Sequence, residues 1–199
     1  MIKGDSSEYH LITKHIGKLN IDRATLTCEI GLREGLGSKL IMDAVRDHKP
    51  SLYKHVAVDP YNNLKYQHYD KSKDYTADYT EDMKQKTVSE LYQNYPEFDF
   101  FHMTDDYYFK TMGEGHQFSV NGQLMLFGLY KFVHFDGPHT TKAVIDELTF
   151  FIPRSETNAV FMIDDYKHLR MGIVDMLLKT YNFSVAEKGD NKIIYQKEI

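Results

Sequence analysis

FVHFDGPH, residues 132–139, begins as an apolar run typical of a buried strand and then stops on an acid, a glycine, a proline and a histidine. AVFMIDDY, residues 159–166, repeats this pattern and ends its apolar run on two aspartates. Continuous apolar runs of this length are typical of strands that are covered on both faces of a parallel sheet. We therefore predict two buried strands whose carboxyl ends carry Asp136, Asp164 and Asp165.

Strand-like and helix-like segments alternate outward from this stretch through most of the chain. A hairpin around the turn GDN, within residues 183–198, closes the pattern. Residues 107–127 fit a helix and a strand equally well. This alternation predicts an α/β three-layer sandwich with a Rossmann-like, mostly parallel seven-stranded sheet and a C-terminal antiparallel hairpin. The predicted strands lie at residues 25–30, 54–60, 98–105, 130–136 and 159–164, and the predicted helices at 39–45, 80–93, 140–152 and 168–181.

Length and composition narrow the possible functions. The 199 residues suit one domain, with residues 1–24 as an N-terminal extension. A net charge of −5 without a dense basic patch argues against a nucleic-acid partner. With Cys28 the single cysteine, an internal disulfide is excluded and a cytoplasmic setting is expected. We find no signal-like or membrane-spanning apolar run, so we expect no membrane partner. A homo-oligomer stays open.

Acidic side chains follow all five predicted parallel strands. In an open α/β sheet, ligands bind outside the carboxyl ends of the strands. A single acid at such a position is often a solvated cap, but five along one edge indicate a site. The five are Glu29, Asp59, Asp105, Asp136 and Asp164.

The loop after the first predicted strand reads EIGLREGLGS, residues 29–38. Gly31 and Gly35 permit a tight turn and a close approach to a ligand. The loop matches neither the dinucleotide fingerprint nor the P-loop. Glu29 would repel a pyrophosphate and attract a ligand ammonium, and Asp59 suits the two hydroxyls of a ribose. These features favour S-adenosylmethionine over NAD.

These motifs, together with DGPH and IDDY, resemble class I S-adenosylmethionine-dependent methyltransferases. The most similar group is that of the macrocin O-methyltransferase and cephalosporin-hydroxylase-like small-molecule O-methyltransferases. The resemblance implies a cofactor site with the methionine part near Glu29, the ribose near Asp59 and the adenine near Thr104. The implied cofactor-binding residues are Glu29, Gly31, Gly35, Ser38, Asp59, Thr104 and Asp105.

The same resemblance implies a divalent metal held by Asp136, Asp164 and Asp165. Independently of it, hard cations such as Mg²⁺ prefer oxygen ligands, and three nearby carboxylates without a cation would repel one another. His139 lies three residues after Asp136, and some relatives use such a histidine as the general base. His139 as a simple helix cap is the alternative.

The sequence thus predicts an enzyme, an S-adenosylmethionine-dependent O-methyltransferase. Its acceptor would be a small hydroxylated molecule, such as a sugar or a sugar-containing metabolite, and a divalent metal, Mg²⁺, would assist. Asp136 and His139 would be catalytic. Two alternatives stay open, a Rossmann-like dinucleotide-binding oxidoreductase and a catalytically silent S-adenosylmethionine-binding module. The Tyr-rich segment 61–79 is predicted to be either a lid or a disordered polar loop.

Overall fold

The computed structural model describes residues 2–4, 6–62, 64–120 and 122–198. Within these ranges the strands are β1 Ala24–Ile30, β2 Leu52–Val58, β3 Lys65–Gln67, β4 Asp74–Thr76, β5 Phe98–Phe101, β6 His116–Val120, β7 Gln123–Phe127, β8 Tyr130–Phe135, β9 Ser155–Ile163, β10 Phe183–Lys188 and β11 Ile193–Lys197. The helices are α1 His10–Ile16, α2 Leu36–Asp47, α3 Glu81–Asn94, α4 Asp105–Thr111, α5 Thr141–Phe151 and α6 Met171–Thr180.

Seven strands form the central sheet in the order β10-β11-β9-β8-β1-β2-β5. The five strands from β9 to β5 are mutually parallel, whereas β11 pairs antiparallel with both β9 and β10. This arrangement confirms the predicted mostly parallel sheet with a C-terminal antiparallel hairpin. The pairs β3–β4 and β6–β7 are separate two-stranded hairpins.

Helices cover both faces of the sheet, as the three-layer prediction requires. On β1, Leu26, Cys28 and Ile30 belong to the apolar cluster that includes residues of α5 and α6. On β8, the period-two alternation turns Phe132 to the opposite face, where it packs with residues of α1 and α2. Residues of α2 and α3 complete the second face around Leu91.

Three predicted elements differ from the observed ones. The third strand ends at Phe101 and not at 105, because the side chain of Thr104 accepts a hydrogen bond from the Tyr107 amide and begins α4. The ambiguous residues 107–127 contain the end of α4 and then the β6–β7 hairpin. The segment 61–79 contains the β3–β4 hairpin and so has regular structure of its own.

The predicted helix starts were also displaced. α2 begins at Leu36 rather than 39, after Gly35 adopts a left-handed φ of 82°. α6 begins at Met171 rather than 168, because a short 3₁₀ turn at Tyr166–His168 comes first. None of the helices in the described ranges combines the length and the apolarity needed to cross a membrane.

Candidate active site

A cavity of about 700 Å³ lies at the carboxyl ends of the parallel strands. The chain runs from β1 to β2 and β5 on one side, and β8 and β9 follow on the other side of β1. The gap between β1 and β8 is therefore the topological switch point, where open α/β sheets bind their ligands. The cavity volume lies in the ordinary range of small-molecule sites.

The glycine loop forms one wall of this cavity. Gly31 has a φ of 89°, and a Cβ built on it would lie 2.1 Å from the carbonyl oxygen of Asp136. Gly35 has a φ of 82°, and its Cβ would lie 2.7 Å from the Thr87 methyl group. Side chains are excluded at both positions, so the loop packs tightly between α3 and the end of β8.

Glu29 lies at the base of the loop and is held by a buried network. Its carboxylate accepts a hydrogen bond from the Ser38 hydroxyl and another, of 2.8 Å, from Nδ1 of His134. His55 contacts the Ser38 hydroxyl through Nε2 at 2.8 Å. Glu29 lines the cavity, whereas Ser38 is completely buried behind it. Ser38 therefore supports Glu29 from within the protein.

Asp59 also lines the cavity, but its carboxylate turns toward the glycine loop. It accepts hydrogen bonds from the amides of Leu32 at 2.9 Å, Arg33 at 3.0 Å and Tyr61 at 2.7 Å. Burial raises the pKa of Asp59, while these amides act in the opposite direction. The geometry gives Asp59 a loop-ordering role, and its predicted ribose contact stays a prediction.

Thr104 and Asp105 lie beside the cavity at the start of α4. Thr104 caps the helix, and burial raises the pKa of the Asp105 carboxyl. Their place in the fold is compatible with the predicted adenine contacts, which stay a prediction.

Asp136 and His139 form the opposite wall. Nε2 of the buried His139 lies 3.8 Å from Oδ1 of Asp136 and 4.0 Å from Oδ2 of Asp165. Burial lowers the pKa of His139 to about 4, so its ring is neutral near neutral pH. Burial raises the pKa of Asp136, and the nearby charge of Asp164 raises it further. Two groups that can accept a proton thus lie side by side.

Asp164 is bound to a lysine that sequence reasoning missed. Its Oδ2 accepts hydrogen bonds from the fully buried Lys192 ammonium and, at 2.6 Å, from the Ser6 hydroxyl. Its Oδ1 accepts from the Asp165 amide at 2.8 Å. Strand β11 pairs Ile193 with Ile163 of β9, and this register sets Lys192 beside Asp164.

The N-terminal residues complete this side of the cavity. The Glu8 carboxylate accepts hydrogen bonds from the amides of Asp190, Asn191 and Lys192 at 2.8, 2.7 and 3.0 Å. Ser6, Ser7 and Tyr9 line the cavity. The predicted N-terminal extension is therefore part of the site.

Residues of the Tyr-rich segment, among them Tyr66, His68 and Tyr69, line the cavity. The Tyr69 hydroxyl donates to Oδ2 of Asp165 at 2.9 Å, and its ring stacks on His168 at 4.0 Å. Asp70 accepts hydrogen bonds from the amide and the hydroxyl of Thr141 at 2.7 and 2.6 Å. These contacts dock the segment on α5 and on the end of β9.

Among the described residues, two groups of three bring potential metal-ligating atoms within 4.8 Å of one another. The predicted ligands Asp136 and Asp165 fall in different groups, and Asp164 falls in neither. His68 enters one group, although the sequence analysis gave it no role. The groups are His68, His139 and Asp165, and Glu29, His134 and Asp136.

A Rossmann-like sheet with a glycine loop and an acid-lined cavity at the switch point is typical of α/β enzymes that bind a small cofactor. Residues 28–166 match the family described as "Methyltransferase domain", and the chain belongs to that family. This match confirms the predicted enzyme class, a class I methyltransferase. No curated protein matches the sequence significantly.

Solved structures share the fold at low sequence identity. The O-methyltransferase TomG from Streptomyces achromogenes, in complex with S-adenosylmethionine, is 12% identical with a TM-score of 0.59, over 100% of this chain and 82% of that one. An O-methyltransferase from Bacillus cereus, in complex with S-adenosylhomocysteine, is 9% identical with a TM-score of 0.59, over 98% and 82% of the two chains. An rRNA methylase from Streptococcus thermophilus is 10% identical with a TM-score of 0.58, over 100% and 99%.

Proposed function

We propose that this protein transfers a methyl group from S-adenosylmethionine to a hydroxyl oxygen of a small molecule, such as a sugar or a sugar-containing metabolite. The observation that carries the proposal is one cavity with a glycine loop on one wall and the Asp136–His139 pair on the other. Support also comes from TomG and the Bacillus cereus enzyme, which are O-methyltransferases that bind this cofactor or its product.

The glycine-loop wall fits the proposed cofactor. Glu29 offers a carboxylate for an ammonium group, and Gly31 leaves the loop backbone accessible from the cavity. Thr104 and Asp105 offer polar groups where an adenine is expected, and Asp59 holds the loop in shape. When bound, the cofactor supplies a methyl group on a positively charged sulfur.

The opposite wall supplies the acid–base chemistry. In the transfer, the carbon–sulfur bond breaks, a carbon–oxygen bond forms and the acceptor hydroxyl loses its proton. We assign that proton to the Asp136–His139 pair, because His139 is neutral near neutral pH and Asp136 faces the same space. Holding the hydroxyl in line with the methyl group is the other contribution of this wall.

We also propose that a divalent cation assists. The predicted ligands are Asp136, Asp164 and Asp165, and Mg²⁺ is the ion that such carboxylates favour. When bound, the ion would lower the pKa of the acceptor hydroxyl. Asp136 and Asp165 have oxygens available beside the cavity, whereas Lys192 and Ser6 already bind one oxygen of Asp164. Asp136 and Asp165 are therefore better placed than Asp164 to bind the cation.

Isothermal titration with S-adenosylhomocysteine, with and without Mg²⁺, tests the cofactor first. Micromolar binding would support the proposal and justify a screen of hydroxylated acceptors by mass spectrometry of the methylated product. Absence of binding in both conditions would overturn it. Transfer to RNA but not to small hydroxylated molecules would overturn the proposed acceptor class. The net charge of −5 argues against RNA as the acceptor.

The two alternatives can be separated by the same titration. A protein that binds NAD but not S-adenosylhomocysteine would be better explained as an oxidoreductase. The match to the methyltransferase family does not favour that alternative. Tight cofactor binding without transfer to any acceptor would favour a catalytically silent module.

A further inference from the structure

His68 lines the cavity and is held in place by its neighbours in the chain. Tyr69 forms an isolated β-bridge with His139 and donates its hydroxyl to Asp165. Asp70 bonds to Thr141 at the start of α5. Because Tyr69 and Asp70 are both bound to residues beside the cavity, the fold restricts the position of the preceding residue, His68.

The His68 ring faces the catalytic wall. Its centroid lies 5.0 Å from that of His139, and the two planes are nearly perpendicular, at 89°. Nδ1 of His68 is buried and has no hydrogen-bond partner among the described residues. A buried nitrogen without a partner costs free energy unless a ligand satisfies it.

Two imidazoles and one carboxylate converge here. One ligating atom from each of His68, His139 and Asp165 lies within 4.8 Å of the other two. The Tyr69 hydroxyl bonds to the Asp165 carboxylate, as partners of metal-ligating carboxylates commonly do. The set therefore combines potential ligands with an orienting contact.

We propose that His68, His139 and Asp165 bind a divalent transition metal, and that His68 makes the segment 61–79 part of the metal site. The proposal rests on the metal assistance proposed above and replaces its ligand set. Imidazole ligands suit Zn²⁺, Co²⁺ or Fe²⁺ better than Mg²⁺, which prefers oxygen. Asp164, bound by Lys192, lies outside the set.

The proposal divides the roles on this wall. With His139 as a ligand, Asp136 remains to receive the acceptor proton, 3.8 Å from the His139 ring. It also couples the metal to the segment 61–79, because His68 belongs to that segment and lines the cavity. Metal binding would then stabilise the contacts of this segment with α5 and Asp165.

Titration of the untagged protein with Co²⁺ tests the site directly. Visible absorption reports imidazole coordination, and calorimetry gives the affinity. We expect Co²⁺ to bind and a tenfold excess of Mg²⁺ not to displace it. His68→Ala should weaken Co²⁺ binding by more than about tenfold, whereas the control His10→Ala, at an exposed position on α1, should leave it unchanged.

Asp164→Asn separates the two ligand sets. The proposal expects Asp164→Asn to keep Co²⁺ binding, after circular dichroism has shown that the variant is folded. Loss of Co²⁺ binding in a folded Asp164→Asn, with wild-type affinity in His68→Ala, would overturn the proposal in favour of the three aspartates. Failure of the wild-type protein to bind Co²⁺ would also overturn it.

Limited trypsin digestion tests the coupling to the segment, which offers Lys65, Lys71 and Lys73 as cleavage sites. Co²⁺ should slow cleavage there in the wild-type protein and not in His68→Ala. Equal rates with and without Co²⁺ in the wild-type protein would overturn the coupling.

Titration of the same samples with S-adenosylhomocysteine keeps the two proposals apart. Cofactor binding without Co²⁺ binding removes the metal site and leaves the methyltransferase function standing. Co²⁺ binding without cofactor binding supports the site and removes the proposed function.

Discussion

Nδ1 of His134 donates a hydrogen bond to Oε1 of Glu29 across 2.8 Å, although 105 positions separate the two residues in the chain. The register of β1 and β8 pairs them directly, and both side chains are buried. Alternate residues of a strand share a face, so Thr27 and Glu29 both turn toward α2. A polar network therefore lies under the glycine loop, inside an otherwise apolar sheet.

Substitutions of Ser38 and of Glu29, two members of this network, should have different effects. Ser38→Ala should lower the free energy of unfolding by about 1–3 kcal/mol, because Glu29 and His55 lose a buried hydrogen-bond partner. Glu29→Gln should weaken S-adenosylhomocysteine binding by about tenfold or more, because a charged partner of the ammonium is lost. Urea denaturation and calorimetry measure the two effects.

Ser38 lies behind Glu29, so Ser38→Ala should change the cofactor affinity much less than Glu29→Gln does. If Glu29→Gln binds the cofactor as well as the wild-type protein does, Glu29 has no contact with the ammonium and is a structural residue.

The ion pair between Lys192 and Asp164 should dominate the stability of the site. Removing one member of a buried pair leaves an uncompensated charge, so Lys192→Met should cost about 3–5 kcal/mol of unfolding free energy. The double variant Lys192→Met with Asp164→Asn should cost less than the sum of the two single variants, since neither charge then remains. The exposed Lys188 in the same hairpin gives the control Lys188→Met.

Denaturation of the wild-type protein, the two single variants and the double variant gives the coupling free energy. Additive effects of the two substitutions would show that the ammonium and the carboxylate do not depend on each other.

The mostly parallel sheet could be predicted because the signals for its strands and helices are local. Runs such as YKFVHF and AVFMI end on acids, and parallel strands bring their carboxyl ends to one edge. Element boundaries that depend on a single contact could not be predicted. An example is Thr104, whose side chain caps the start of α4 where the sequence predicted the end of a strand. The hairpin within 61–79 also depends on contacts with distant residues, among them the bond of Tyr69 to Asp165.

The acids that line the cavity could be predicted from the sequence, whereas the residues that contact them could not. Glu29, Asp59, Asp136 and Asp165 all line the cavity, as their positions at strand ends indicate. No role for Lys192 or His68 could be predicted, because each reaches the site through a long-range contact. The polar residues alternating in TLTCEI did carry a sign of the buried network, since a strand covered on both faces has no solvent for them.

Glu147 on α5 should make the protein less stable as the pH rises. Both carboxylate oxygens are buried and have no hydrogen-bond partner among the described residues. Burial, with a further contribution from the Asp105 charge, raises the pKa of Glu147 well above its ordinary value of 4.5. The unfolded chain loses this proton more readily, so stability falls as the pH increases from 4.5 toward the raised pKa.

Glu147→Gln removes that charge. It should raise the melting temperature by about 2–8 °C near neutral pH, and the gain should shrink as the pH falls toward 4.5 and be absent below it. Thermal melts over a pH series measure it, with the exposed Glu114→Gln as the control. An equal gain at every pH would contradict the assignment of a raised pKa to Glu147.

His139 should stay neutral in solutions where an exposed histidine is protonated. Burial lowers its pKa to about 4, although the charge of Asp165 opposes the shift. A lowered histidine pKa means that stability is lost as the pH falls from 6.5 toward 4, since the unfolded chain takes up the proton first. In the proposed reaction His139 acts as a neutral ring, whether it accepts the proton or binds the metal, so the rate should hold below pH 6.5 and fall as the pH approaches 4.

Carbon-13 NMR of labelled histidines, with His139→Ala to assign the resonance, measures this pKa directly. His139→Ala should also lower the turnover of an acceptor by about 10²–10⁴-fold, while S-adenosylhomocysteine binds nearly as before, because His139 belongs to the opposite wall. A measured pKa near 6.5 would mean that the ring is solvated and that the segment carrying His68 does not cover it in solution.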